Sequence, residues 1–146
     1  MTIQPIHADV TTFLSAGTRE MIIGGKKVMA HSGKTYSTYN PSDGSKLVEI
    51  ASGDQADIDD AVRAAKTALE GPWGKMSPAG REDILRKFAR QIEEHAEELA
   101  QLESIDNGKS LHHTRVIDVR AAAGNVNHFA GWPSKIFGET VPVSIP

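Results

Sequence analysis

The spacing of apolar and polar positions changes character along the chain. MIIGGKKVMA alternates around Gly24-Gly25, which predicts a hairpin with residues 21–23 and 27–29 as its strands. A type I′ turn needs positive φ at both central positions, and glycine supplies it without a Cβ clash. Residues 31–44 read as a loop. Within it, TYNPSDG is turn chemistry, because Pro41 drives Asn40 out of the helical region and Asp43-Gly44 tightens a second turn. A short strand is expected over residues 46–50.

From Asp54 the period becomes helical: Ile58, Ala61, Val62, Ala65, Ala68 and Leu69 share one face, which predicts a helix with that face buried. Asp54 is the expected N-cap, acids follow it at the positive end of the dipole, and Gly71-Pro72 stops the helix after Glu70. Ser77-Pro78 is a second start, a capping hydroxyl followed by proline at the first helical position. Leu85, Phe88, Ala89, Ile92, Ala96, Leu99 and Ala100 form the next stripe, as one long helix or two, up to Asp106-Asn107-Gly108. A last stripe runs from a capping Ser110 through Val116, Val119, Ala123, Val126 and Ala130 until Pro133. GETVPVSIP then reads as an extended strand without a sheet to join. The chain is therefore expected to be mostly α, with an N-terminal β-hairpin and an unpaired C-terminal strand.

Composition narrows the function. The chain has 146 residues, enough for one core, and 39% hydrophobic with 24% charged residues is ordinary for a globular protein. A net charge of -3 without a run of like charge gives no support for nucleic acid or an anionic membrane as partner. The first twenty residues lack a basic start and an apolar run, and no segment reaches the length of a membrane span, so a cytoplasmic location is expected. There are no cysteines, hence no disulfide, thiolate ligand or cysteine nucleophile in these residues.

Candidate chemistry is sparse. No phosphate-binding, esterase or zincin signature is present. His112 and His113 invite a metal reading, but adjacent helical residues point about 100° apart, and His113 to Asp118 at i,i+5 is poor spacing for one α-helical face. His95 sits among Glu93, Glu94, Glu97 and Glu98, which reads as a solvated helix face.

The order of these local signals resembles the N-terminal region of the NAD(P)-dependent aldehyde dehydrogenase family. The resemblance runs through MIIGGKKV, TYNPSDG, ASGDQADIDDAVRAAKTAL, the Gly71-Pro72-Trp73 break, MSPAGREDILRKFARQIEEHAEELAQLESIDNGK and HFAGWPSKIFGETVPV. It implies an α/β parent fold with a Rossmann-type cofactor domain. Residues 1–20 would be a flexible arm, 21–136 an incomplete part of that domain, and 137–146 the start of a segment leading toward an oligomerisation arm. The implied enzyme oxidises an aldehyde to a carboxylic acid through a cysteine thioester, uses NAD or NADP and is a homo-oligomer. The family's thiol, glutamate and cofactor turn have no counterpart in these residues, so no catalytic or cofactor-binding residue is assigned and the chain alone is expected to be inactive. Many family members hold a monovalent cation through oxygens of the Thr-x-Asn-Pro turn and of the Asp-Asn-Gly-Lys aspartate, with one more oxygen supplied from later in the chain. The resemblance places these ligands at Thr38, Tyr39 and Asp106, with K+ or Na+ as the ion. The expected partner is the rest of the dehydrogenase. Two alternatives remain open, a non-catalytic truncated subunit docking on a full-length relative and a free-standing helical interaction module.

Overall fold

Strand pairing and helix capping follow local chemistry closely in the computed structural model, which describes residues 6–138. Helix α1 (Ala8–Ser15) opens the described chain where the sequence suggests a loosely held arm. Its Val10 is fully buried, and the His7 N–H donates to Gln101 Oε1 at 2.8 Å, which ties this end of the chain to a helix ninety residues later. Strands β1 (Met21–Ile23) and β2 (Lys26–Val28) form the hairpin, with φ of 61° at Gly24 and 77° at Gly25 as a type I′ turn demands. The second strand lies one residue earlier than expected, because a two-residue loop pairs Ile23 with Lys26.

The loop expected over residues 31–44 instead contains a strand. Strand β3 (Thr35–Tyr39) pairs antiparallel with β4 (Lys46–Ala51), and the register shifts by a bulge between Thr38 and Tyr39. Its sequence, TYSTY, is rich in the β-branched and aromatic residues that suit a half-buried pleated surface. The turn between these strands is built as the sequence predicts: Asn40 Oδ1 accepts the Ser42 N–H and Asp43 Oδ1 accepts the Ser45 N–H, each at 2.9 Å.

Helix α2 (Gln55–Glu70) starts in a reciprocal capping box, Asp54 and Asp57 each accepting a backbone N–H from the other end of the turn. Its apolar stripe is not buried as expected. Ile58 is 57% and Leu69 64% exposed, since no described element packs across that face. After α3 (Pro72–Lys75), the stripe of residues 78–107 resolves into two helices, α4 (Pro78–Glu94) and α5 (Ala96–Asn107), separated at His95. Ser77 Oγ accepts the Gly80 N–H at 3.1 Å, as a capping serine should.

The final stripe is not one continuous α-helix. It runs as α6 (Leu111–His113), a π-turn over Thr114–Asp118, and α7 (Val119–Ala130), and then gives way to a 3-10 turn at Pro133–Lys135. Ser110 precedes it without making the expected side-chain cap. Thr114 is fully buried, and its hydroxyl shares its proton between the Ala100 carbonyl at 2.8 Å and the Leu111 carbonyl at 3.1 Å. The strand expected at the C-terminal end falls, from residue 139 onward, outside the described residues.

The buried apolar positions are alanines and valines: Ala89, Ala100, Val119, Ala123 and Ala130 let α4, α5 and α7 approach closely, while Phe88, Phe129 and Trp132 stay more than half exposed. The described residues are mostly helical, with two small antiparallel strand pairs. No helix among the described residues is long and apolar enough to cross a membrane.

Candidate functional site

Two turns far apart in sequence meet on one side of the molecule. The first follows β3. The second closes α5, where Gly108 takes the left-handed conformation at φ 77°, its N–H donates to the Ser104 carbonyl at 3.0 Å and Ser104 Oγ donates to the Lys109 carbonyl at 2.7 Å. A Cβ added to Gly108 would lie 2.9 Å from Pro41 Cγ, so glycine is required here both by conformation and by the contact between the two turns.

This packing brings Thr38 and Asp106 to the wall of one cleft of about 360 Å3, between β4 and the underside of α1 and α5. Leu47, Val48, Leu99 and Leu102 form its apolar wall, and Arg19, Glu103 and Asp106 supply its charge. The Arg19 guanidinium lies over the Phe13 ring, 4.5 Å from its centroid, and both residues line the cleft. Glu103 lies 3.7 Å from Lys109 Nζ, and that ammonium bonds more closely to Asp118 at 2.8 Å. Among the described residues the Asp106 carboxylate takes part in no ion pair. Thr38 Oγ1 spends its proton on the Val48 carbonyl at 3.4 Å and keeps lone pairs to offer. Tyr39 stands next to the bulge with its side chain exposed, outside the residues that line the cleft, so only its main chain can reach inward. The donor set is oxygen only, which fits a hard cation rather than a thiophilic one.

The histidines behave in two ways. His113 and Asp118 do come together, Nε2 to Oδ1 at 3.8 Å, because the π-turn between them turns an i,i+5 spacing into neighbours. Lys109 already occupies that carboxylate, and among the described residues no group of three His, Cys, Asp or Glu is placed to hold a metal. His95 bonds to Glu98 at 3.0 Å across one helical turn.

A further cluster escaped the sequence reading. The His31 N–H donates to Asp57 Oδ1 at 3.0 Å while its ring Nε2 lies 2.8 Å from Asp60 Oδ2, fastening the segment after β2 to the first turns of α2. The hydrogen bond to Asp60, and then the charge of Asp57, raise the His31 pKa above its ordinary value. Asp57, only 2% exposed, is held below the carboxylate range first by the Asp54 N–H. The only signal for this cluster was a histidine ahead of a run of acids, which reads equally well as helix-dipole chemistry.

Comparison with known proteins places the whole arrangement. The aldehyde dehydrogenase family model matches residues 28–146. Phenylacetaldehyde dehydrogenase of Pseudomonas fluorescens is 40% identical over 128 residues, 87% of this chain and 26% of its own length. A solved variant of aldehyde dehydrogenase from Bacillus cereus superposes with a TM-score of 0.95 at 42% identity, covering 98% of this chain and 29% of that one. An NAD+ complex of aldehyde dehydrogenase from Bacillus cereus gives a TM-score of 0.93 over 96% of this chain and 28% of its own. The chain thus spans about a quarter of the length of the relatives it matches.

Proposed function

Because this chain belongs to the aldehyde dehydrogenase family, we propose that it is the N-terminal part of an NAD(P)-dependent enzyme that oxidises an aldehyde to a carboxylic acid through a cysteine-bound thioester. The observation that carries this reading is the near-complete superposition of the chain on an aldehyde dehydrogenase, with a TM-score of 0.95. Residues 21–136 would belong to the cofactor-binding domain, and residues 137–146 would lead toward the arm through which subunits of a homo-oligomer meet. A bound nicotinamide would supply the hydride acceptor. On this reading its site is formed by other parts of the enzyme, since the sequence has no glycine-rich turn before a helix. No cysteine is present to act as nucleophile. This chain's share of the enzyme is then structural.

Thr38, Tyr39 and Asp106 are proposed to hold a monovalent cation, K+ or Na+, where the two turns meet. The free carboxylate of Asp106, the lone pairs of Thr38 and the bulge that interrupts the β-ladder at Tyr39 support this reading. A cation there would cross-link β3 to the end of α5, positioning the outer helices rather than touching substrate.

The test is the intact mass and activity of the native gene product. A polypeptide several times longer than 15.7 kDa that reduces NAD+ or NADP+ with an aldehyde, while the isolated 146 residues do not, is the expected result. A 15.7 kDa product that co-purifies with a full-length dehydrogenase would instead favour the non-catalytic subunit, a reading that the exposed apolar faces of α2 and α7 also suit. Aldehyde-dependent reduction of the cofactor by the isolated chain would overturn both.

A further inference from the structure

Asn107-Gly108 is the sequence's one Asn-Gly pair, and Asp43-Gly44 its one Asp-Gly pair. Glycine leaves the peptide nitrogen after an asparagine sterically open, so the backbone can attack the neighbouring carboxamide. We propose that Asn107 is a site of spontaneous deamidation whose rate is set by the C-terminal cap of α5. The Gly108 nitrogen attacks Asn107 Cγ, the new C–N bond closes a five-membered succinimide, and the amide nitrogen leaves as ammonia with the peptide proton. Water then opens the ring to aspartate or isoaspartate, so the balance needs nothing beyond the chain and solvent.

Each participant is restrained while the cap is closed. The Gly108 N–H donates to the Ser104 carbonyl at 3.0 Å, Asn107 Oδ1 accepts the Lys109 N–H at 2.9 Å, and Asn107 Nδ2 donates to Glu103 Oε1. Attack requires the last turn of α5 to open. Residues 106–109 are exposed, so opening disturbs no core, and water and hydroxide have direct access. Asp43-Gly44 is a built-in control. Its Gly44 N–H donates to the Asn40 carbonyl at 2.8 Å, and its carboxylate, accepting both the hydroxyl and the N–H of Ser45, stays ionised and is a poor electrophile.

The product would not fit the closed turn. Isoaspartate routes the main chain through one additional carbon, yet Gly108 already lies too close to Pro41 to accept even a Cβ. The modification therefore separates the two turns and adds a negative charge beside Asp106.

The experiment is to age the full chain at mildly alkaline pH, with and without urea, and to follow each asparagine by peptide mapping, with circular dichroism reporting the folded state of the same samples. Deamidation should concentrate at Asn107, run at least about tenfold faster in urea than in buffer, and vanish in Asn107→Gln. Equal rates in the two conditions would overturn control by the cap. An Asn107 that stays intact in urea would overturn the site.

Discussion

Asp57 sits in the first turn of α2, where an acid is expected for its effect on the helix dipole alone, yet its carboxylate accepts backbone N–H groups from both Asp54 and His31. It thereby closes the capping box and anchors the segment after β2. His31 completes the fastening through Asp60, which also bonds Arg63 Nη1 at 2.7 Å. The folded-state pKa of His31 is raised, so its contribution to stability is complete below its unfolded value and is lost as pH rises through the folded one. The thermal midpoint should accordingly fall as pH rises through and above the ordinary histidine range, and His31→Asn should flatten that slope. A melting curve whose slope over this window is the same in the variant would refute the assignment. At this scale the caps at Asp54 and Ser77 were legible, because a capping residue needs only its own following turn. The His31 cluster was not, since it depends on where the chain after β2 lands on α2.

At the scale of elements, long-range contacts decide what periodicity leaves open. The stripe over residues 111–130 predicts a helix but not the π-turn at its start, where Thr114 is drawn to the Ala100 carbonyl fourteen residues back. Arg115 follows it and reaches Glu97 on α5, Nε to Oε2 at 2.7 Å, holding that carboxyl below its ordinary range. The π-turn is thus the place where the last helix is registered against α5. Thr114→Val keeps the shape, removes the shared hydroxyl and leaves the Ala100 carbonyl without that donor, which should cost about 1–2 kcal/mol in urea titrations, with the midpoint moved and the m-value kept. A midpoint unchanged by the substitution would mean that packing alone sets the register. Strand β3 is hidden in the sequence for a related reason: TYSTY becomes a strand by pairing with β4 across a turn whose chemistry dominates the local sequence.

At the scale of the whole molecule, the family and fold were legible because six short stretches occur in the right order, each encoding a cap, a turn or a stripe. Which faces would close on one another was less legible. Helix stripes identify apolar faces without naming their partners, and here α4, α5 and α7 meet mostly through alanine and valine while larger side chains remain outside. Between these three helices lies an open cleft of about 690 Å3 walled by Phe88, Ile92, Leu99 and Val119, and the stripe of α2 faces solvent as well. Exposed apolar surfaces of this kind attract partners, and each two-stranded sheet is marginal without a further layer. The isolated 146 residues should therefore bind a hydrophobic dye such as ANS in the native state and sediment with a concentration-dependent mass. Both signals should disappear when the same residues are part of the longer polypeptide, because the faces that bind dye are the ones its remaining elements would cover. A monodisperse chain with a cooperative melt and no dye binding would show instead that the small core and the tied turns suffice, and the structural share assigned to these residues would then have to be that of an independent module.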